Sequence, residues 1–282
     1  MRSLPINFGK KSLTNLNQPT IQSLYTYPLK SAGAVALQQT QVGDLGFAHD
    51  REFALVNAEN KILTAREKPQ LLQVEIDLRA DVMLVSAEGS AIEIPLNAEE
   101  ESVYELELFK KPAFGKAVSG KADEWFSRLF NEPLRLVRLY PQKLRQVSTK
   151  YALKEQHPIS FADGFPIHLI SEASVADLNT RLEQPLPVER FRPNIVISGV
   201  EAYAEETWKQ VIIGDCVFDV ITATPRCSLI TIKPETGIFD SNQEPLCSLS
   251  AYKKEGNQIN FGVYLIPKTT GTIALTDAVH LK

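Results

Sequence analysis

Short apolar runs separated by turn-forming residues make up most of the first half of the chain. Strand-like segments cover residues 21–27, 34–40, 51–57, 61–64, 73–77, 82–86 and 92–95. Pro28 and Gly33 separate the first two segments, because proline lacks a backbone donor and glycine readily adopts positive φ. Many short strands at close spacing predict a barrel or a sandwich rather than a doubly wound sheet.

The rest of the chain adds helices to this strand pattern. A helix predicted at residues 122–130 has a single apolar face, formed by Trp125, Phe126, Leu129 and Phe130. Ser171 can cap a second helix, whose apolar face is Val175, Leu178 and Leu182. Further strand-like segments are residues 134–140, 165–170, 194–198, 211–213, 216–222, 228–232, 259–263 and 272–275, with a polar excursion at 142–161.

This pattern predicts a mostly β fold of the α+β class with a few helices. We expect a flexible arm at residues 1–20, a first β-rich unit at 21–139 and a second at 140–282. The division lies where the polar excursion begins, close to the end of the strand that follows the first helix.

Composition excludes several classes of protein. The chain has 282 residues and a net charge of −4, so no basic footprint predicts a nucleic acid or an anionic membrane surface as partner. No apolar run reaches the length of about 18 residues that a spanning helix needs, so we expect no membrane. The three cysteines form no CxxC pair and make a poor disulfide framework, which favours a reducing cytoplasm.

Familiar catalytic motifs are missing from the sequence. It contains no G-x-S-x-G, no Walker loop and no G-x-G-x-x-G, and its four histidines lack metal-ligand spacing. His168 lies in an apolar strand, which favours a packed core residue. The triplet His49-Asp50-Arg51 could form an orienting network or a simple turn, and we favour the simple turn.

One thiol stands out because of its neighbours. Cys227 follows Arg226 directly, just after a bend at Pro225. A guanidinium beside a thiol favours the thiolate, which attacks electrophiles or binds soft metals. Spacing alone nevertheless favours a small packing cysteine, since most single cysteines have that role.

A scattered set of basic residues lies at predicted strand ends, namely Lys30, Arg66, Arg192 and Arg226. Each alone is typical of a surface charge, but together they could hold a phosphate-bearing ligand. Ser31, Asn194 and the backbone around Asp163 and Gly164 could add neutral hydrogen bonds. A cationic pocket with one thiol suits an anionic cofactor whose metal takes a soft ligand.

Several separated motifs resemble a MOSC domain, the domain of molybdenum cofactor sulfurase C-termini and of the amidoxime-reducing components. They are Phe-Arg-Pro-Asn-Ile-Val at 191–196, Tyr-Ala-Glu at 203–205, Ile-Gly-Asp at 213–215, Pro-Arg-Cys at 225–227 and Thr-Gly at 236–237. The front half is similar to the family's N-terminal β-barrel, through Tyr-Pro-Leu-Lys-Ser at 27–31, Gly-Phe-Ala-His-Asp-Arg at 46–51 and Leu-Thr-Ala-Arg at 63–66. The resemblance covers residues 21–281 and implies two β-barrel-like units, an N-terminal MOSC barrel and a MOSC β-barrel.

The resemblance also implies a molybdenum cofactor and assigns its ligands. Cys227 would ligate molybdenum, Lys30, Ser31 and Arg66 would hold the pterin phosphate side, and Arg192, Asn194 and Arg226 would line the same pocket. From the residue pattern we also predict Asp163 and Gly164 as cofactor-binding positions. The implied activity is two-electron reduction of N-hydroxylated substrates: amidoximes, hydroxylamines or N-hydroxylated bases. Such relatives take electrons from a ferredoxin-, flavodoxin- or cytochrome b5-type protein with its reductase.

The sequence departs from the family pattern in places. It lacks the cysteine cluster of a ferredoxin-like [2Fe–2S] domain, so we expect a separate electron donor. Pro225 replaces a small polar residue, which removes a backbone donor and a hydroxyl. Pyridoxal phosphate belongs to the sulfurases of the wider family, and without their domain complete sulfurase activity is not expected. Two alternatives stay open: a sulfur carrier or transferase with a Cys227 persulfide, and a cofactor-binding protein without turnover.

Overall fold

Short strands dominate the structure, a computed structural model that describes residues 18–98, 100–151, 153 and 155–282. Through the first half, the strands are β1 Thr20–Thr26, β2 Val35–Leu37, β3 Gln39–Gly43, β4 Gly46–Phe47, β5 Phe53–Asn57, β6 Glu75–Leu78, β7 Val82–Ala87, β8 Ser90–Pro95, β9 Val103–Leu108, β10 Lys111–Ala117 and β11 Leu134–Leu139. Helix α1, Gly120–Phe130, precedes β11. The arm predicted at residues 1–20 lies outside the described residues up to residue 17.

The second half continues the same pattern with shorter helices. Its strands are β12 Arg145–Gln146, β13 Pro158–Ile159, β14 Ile167–Ser171, β15 Ile195–Ser198, β16 Gln210–Ile213, β17 Cys216–Pro225, β18 Ile232–Lys233, β19 Ile238–Phe239, β20 Lys254–Glu255, β21 Gln258–Pro267, β22 Gly271–Ala274 and β23 Val279–Leu281. Its α-helices are α2 Glu172–Asn179 and α3 Leu246–Ser250. Short 3-10 helices are Pro69–Gln73, Thr149–Tyr151, Val188–Phe191, Ala204–Thr207 and Ser228–Thr231. The predicted mostly β, α+β class is confirmed.

The largest sheet draws strands from both halves of the chain. Its order is β2-β1-β15-β14-β21-β17-β16-β23, and β20 pairs with β21. The pairs along this path are antiparallel except β14–β15, which is parallel. Because β1 pairs with β15, the first strand of the chain is hydrogen-bonded into the sheet of the second half.

A second layer is built from the first half. The sheet β5-β11-β10-β9 and the sheet β6-β7-β8 pack with α1 around a buried core that includes Phe53, Leu71 and Phe126. Ser119 caps α1 by accepting a hydrogen bond from the Ala122 amide, as serine does at helix starts. The predicted helix is therefore confirmed, and it begins at Gly120, two residues before its predicted start.

Ser171 caps α2 through the Ser174 amide, which confirms the second predicted helix, although α2 ends at Asn179. The strand predicted at 228–232 is wrong, because Ser228–Thr231 is a 3-10 helix and β18 begins only at Ile232. Sequence reasoning also missed the hairpin of β9 and β10. Its signal is strict alternation over Val103–Leu108, where the glutamates are exposed and the leucines buried.

We predict that Gly262→Ala destabilises the β14–β21 pairing more than Gly256→Ala does. Both glycines have positive φ, but an added Cβ at Gly262 would lie 2.4 Å from His168 Nε2 and 2.8 Å from the Leu169 carbonyl oxygen. At Gly256 no heavy atom of the described residues lies within 4 Å of the added Cβ. We expect a loss of about 1–2 kcal/mol at Gly256 and roughly 2–5 kcal/mol at Gly262 in urea unfolding. Equal losses would contradict the steric argument.

Candidate functional site

A tight turn after β1 presents the first two predicted site residues. Ser31 has φ of 70°, and the Lys30 amide donates to the Phe53 carbonyl oxygen at 2.8 Å. Ser31 Oγ accepts a hydrogen bond of 3.0 Å from the Ala65 amide. This bond ties the turn to the loop that carries Arg66, so three predicted residues share one edge of the first half.

The second half presents its residues at the end of a 3-10 helix and at the end of β17. Arg192 has left-handed geometry, φ 54°, directly after Val188–Phe191. In β17 the pairing register shifts between Ala223 and Pro225, so proline stands at a bulge, where a missing donor is tolerated. The Arg226 amide then donates to the Ile259 carbonyl oxygen at 2.7 Å, which fixes the direction of Arg226 and Cys227.

These elements meet around one cavity. It is lined by the predicted residues Lys30, Ser31, Arg66, Asp163, Arg192, Asn194, Arg226 and Cys227. Gly164 lines a neighbouring cavity that shares Asp163 with the first. The structure therefore brings the thiol together with cations from both halves of the chain.

The Lys30 ammonium is almost fully buried and is held by two acceptors. It donates to the Phe161 carbonyl oxygen at 2.8 Å and to Asp163 Oδ1 at 2.6 Å. Desolvation raises the pKa of Asp163, but the ion pair with Lys30 outweighs it and lowers that pKa to about 2. Since an ammonium has three donors, one N–H of Lys30 is left for a ligand.

Two guanidinium groups contact the ring of Tyr27. The Cζ atoms of Arg51 and Arg192 lie 4.1 Å and 4.2 Å from its centroid. Arg192 also donates to the Ala32 carbonyl oxygen at 2.7 Å, and burial lowers its pKa to about 10, so it stays charged at neutral pH. The aromatic face attracts both cations and holds them side by side despite their mutual repulsion.

Asn194 is fully engaged by the protein. Its Oδ1 accepts from the His168 amide and from Arg51, and its Nδ2 donates to the Tyr25 carbonyl oxygen and to Asp50 Oδ1. An amide side chain has two donors and two acceptor sites, so these four bonds use its full capacity. Asn194 therefore positions the wall of the cavity, and its predicted role as a direct cofactor contact stays a prediction.

Arg226 is anchored on one side and free on the other. One of its terminal nitrogens donates to the Phe191 carbonyl oxygen at 2.8 Å. Its buried Nε has no hydrogen-bond partner among the described residues. Cys227 beside it is partly exposed, with its carbonyl oxygen accepting from the Ile230 amide at 3.2 Å. An unpaired buried donor costs free energy unless a ligand supplies an acceptor.

Sequence reasoning missed several residues of the cavity wall. Arg51 was interpreted as part of a turn, but it belongs to a buried network through its bonds to Asp50 at 2.6 and 2.7 Å. His168 is buried as expected, yet it lines the cavity, and burial together with the charge of Arg226 lowers its pKa well below the usual value. Phe109 and Tyr264 also line the cavity. The motif at 46–51 carries a signal for Arg51, whereas no quoted motif includes Phe109 or Tyr264.

Metal-ligand groups are scarce in the described ranges. Residues 18–98, 100–151, 153 and 155–282 contain no cluster of three or more His, Cys, Asp or Glu side chains arranged to hold a metal ion. In the same part of the chain, no helix is long and apolar enough to cross a bilayer.

Each half of the chain matches a known domain family. The MOSC N-terminal β-barrel domain matches residues 18–133, and the MOSC domain matches residues 156–280. The mitochondrial amidoxime reducing component 2 of Rattus norvegicus is 32% identical over 281 residues, covering 93% of this chain and 82% of the relative. The human mitochondrial amidoxime-reducing component 1 is 31% identical with the same coverage. The solved YUAD protein of Bacillus subtilis covers 93% of this chain and 94% of its own at 11% identity, with a TM-score of 0.38, too weak a likeness to support an argument.

We predict that Asp163→Asn destabilises the protein by about 1–2 kcal/mol at pH 7, because it removes the anion beside the buried Lys30 ammonium. The value is modest since the Asp163 side chain is 54% exposed. The pKa of Asp163 is about 2 in the folded protein and 3.8 for an unperturbed carboxyl. Its ionised form therefore stabilises the fold fully above the unperturbed pKa, and this stabilisation is lost as the pH falls towards 2. The difference between wild type and variant should thus be constant above about pH 5 and shrink between about pH 4 and 2.

The matched control for this prediction is Glu59→Gln. The Lys61–Glu59 pair has a similar separation, 2.9 Å, but its side chains are 52% and 69% exposed. We expect no measurable change in urea unfolding for this variant, because water screens exposed pairs. An Asp163→Asn protein as stable as wild type at pH 7 would show that the Lys30–Asp163 pair contributes nothing to stability.

Proposed function

The chain belongs to the family of MOSC-domain proteins that includes the mitochondrial amidoxime-reducing components, and from that premise we propose that it reduces N-hydroxylated compounds with a molybdenum cofactor. One observation carries the proposal: the Cys227 thiol lines the same cavity as cations contributed by both halves. A thiolate suits a soft metal, and the cations suit a phosphate, so the cavity matches the two ends of such a cofactor.

The donor set supports this fit. Five cationic side chains line the cavity in the described part of the chain, namely Lys30, Arg51, Arg66, Arg192 and Arg226, against the single carboxylate of Asp163. The unpaired Nε of Arg226 and the third N–H of Lys30 are donors without an acceptor among the described residues. An anionic ligand rich in acceptors would satisfy them, and it would offset the repulsion among the cations.

Each residue has a role in this proposal. Cys227 is the metal ligand, while Lys30, Ser31 and Arg66 hold the phosphate. Arg226 and Arg192 line the pterin side, with Asn194 fixing the wall behind them. When bound, the cofactor supplies the two-electron redox couple that breaks the N–O bond.

The chain's own groups orient the substrate. The reaction consumes two electrons and two protons for each N–O bond cleaved, and it yields the reduced nitrogen compound and water. Asp163 stays ionised at neutral pH, and its Oδ2 makes no hydrogen bond with the described residues, so it can accept an N–H of an amidoxime. Burial raises the pKa of Tyr264, which therefore keeps its proton and can donate to the substrate oxygen.

Electrons would come from a separate protein of the ferredoxin, flavodoxin or cytochrome b5 type with its reductase. The relatives are named as mitochondrial proteins. The cytoplasmic location expected from cysteine usage stays a prediction for this chain.

Metal analysis tests the proposed ligand. Protein produced in a host that makes the cofactor should hold about one molybdenum per chain, since one thiol ligates one metal. We expect Cys227→Ala to abolish this content, whereas Cys247→Ala, which removes an exposed thiol, should retain it. Metal-free wild type carrying cyanide-labile sulfur on Cys227 would contradict the proposal and favour the persulfide carrier.

The same preparations test turnover. Metal-loaded protein should reduce benzamidoxime to benzamidine with reduced methyl viologen as donor, and Cys227→Ala should be inactive. Molybdenum-loaded protein that reduces neither benzamidoxime nor a hydroxylamine would favour a cofactor-binding protein without turnover and would overturn the reductase proposal.

We further predict that Arg226→Ala lowers molybdenum content after gel filtration at least fivefold, because losing one charged hydrogen-bond donor costs roughly 1.5–3 kcal/mol of binding. The control is Arg79→Ala, an exposed arginine in a surface ion pair that does not line the cavity. Unchanged molybdenum content in Arg226→Ala would show that its guanidinium does not hold the cofactor.

A further inference from the structure

A second cavity, which we name the basic groove, adjoins the proposed cofactor site. It is lined by the cations Lys111, Lys143, Arg145 and Lys150 and by the rings of Phe109, Phe114 and Tyr151. Asp163 is the one carboxylate among its lining residues in the described part of the chain. Neither the cofactor nor the proposed redox chemistry accounts for these cations. The groove is formed by the β9–β10 hairpin on one side and by the 143–151 segment on the other.

The charge of the basic groove is unbalanced. Its lysines make no ion pair with a carboxylate of the described residues, and its one carboxylate, Asp163, is already bound by Lys30. The whole chain has a net charge of −4, so four cations in one concavity are a local reversal of sign. Clustered like charges repel, and an anion bound among them relieves that repulsion.

Aromatic rings hold the cations in place. Lys143 Nζ lies 3.6 Å from the centroid of Phe114, and Lys150 Nζ lies 4.6 Å from that of Tyr151. Arg145 donates to the carbonyl oxygens of Ser160 and Ala162 at 3.1 and 2.9 Å, bonds that leave its positive charge in place. Side chains already ordered in this way lose less entropy when they bind a ligand.

The basic groove and the cofactor cavity share two walls, Phe109 and Asp163. Phe109 stands at the tip of the β9–β10 hairpin with φ of 55°, an unusual conformation for a bulky side chain. Its ring lies 5.1 Å from both Lys30 Nζ and the Arg66 guanidinium carbon. A ligand with its reacting group beside Asp163 would thus extend past this ring into the basic groove.

We propose that the basic groove binds an anionic substituent, a carboxylate or a phosphate, of the N-oxygenated substrate whose N–O group lies in the cofactor cavity. The inference rests on the proposed function and adds the substrate class. Shared walls with the reaction cavity favour a small extended substrate over a protein partner. The aromatic rings would pack against the body of the substrate while the lysines bind its charge.

The test compares paired substrates with and without an anionic substituent. With the cofactor-loaded protein and reduced methyl viologen, kcat/KM for 4-carboxybenzamidoxime should exceed that for its methyl ester roughly fivefold to tenfold. The same comparison between N4-hydroxycytidine 5′-monophosphate and N4-hydroxycytidine separates phosphate from carboxylate as the preferred anion. The triple variant Lys111→Gln/Lys143→Gln/Lys150→Gln should lose the preference and keep its rate with unsubstituted benzamidoxime.

Two controls sharpen the result. Arginine at the same three positions should retain the preference, and Lys121→Gln on α1, an exposed lysine outside both cavities, should change nothing. Equal kcat/KM for charged and neutral substrates in the wild type would overturn the proposal. A second result would also overturn it: a triple variant that is impaired equally with every substrate when a protein is the electron donor, but not when methyl viologen is. The basic groove would then bind the electron-transfer protein.

Direct binding separates this proposal from the reductase itself. Calorimetry should show that 4-carboxybenzamidoxime binds the wild type more tightly than its methyl ester does, and that the triple variant loses the difference. If loaded protein turns over no substrate but this difference persists, the reductase proposal fails while the anion site stands. If turnover occurs without any difference in binding or kcat/KM, the anion site fails alone.

Discussion

The buried carboxylate of Asp50 is the constraint on which the arrangement of the site depends. Its side chain is inaccessible to water, so its charge must be met by the protein. Oδ1 accepts from the Tyr27 amide and from Asn194 Nδ2, both at 3.0 Å, and each oxygen lies within 2.7 Å of Arg51. Two of these partners come from the first half and one from the second. The carboxylate is therefore satisfied only when β1 is paired with β15, and that pairing also sets Arg192 beside the turn of Lys30.

The cavity assembled around this network carries more positive charge than folding requires. Arg51 and Arg192 share one tyrosine ring, and Lys30 is buried with a single carboxylate partner. Desolvation of these cations and the repulsion between them both lower the free energy of unfolding, and a purely structural role offers no compensating gain. Natural proteins concentrate costs of this kind at sites that bind an opposite charge. The same reasoning applies to the unpaired Nε of Arg226, and together these features support the proposed anionic ligand.

The pattern of short apolar runs and the sequence motifs predict many of the residues that line this cavity. Short alternating runs gave the strand class, and the basic residues at strand ends, with Cys227, proved to line one cavity. The segment at 228–232 failed because a short apolar run fits a strand and a buried helical turn equally well. Phe109 could not be placed either, since its position depends on a hairpin turn with two positive φ values at non-glycine residues. The place of Tyr264 in the cavity depends on pairing between distant strands, which no local pattern encodes.

Neither half of the chain holds the site alone, and this division has a thermodynamic consequence. The first half contributes Lys30, Ser31 and Arg66, and the second contributes Arg226 and Cys227. A ligand bound to both sets has affinity only for the state in which the halves are associated. Binding must then stabilise that association by the free energy of linkage, which is about 2.7 kcal/mol when the ligand concentration is 100 times its Kd. The proposed cofactor would thus act as a structural bridge between the halves as well as a redox group. The cations of the two halves repel each other, and an anionic ligand between them would attract both sets.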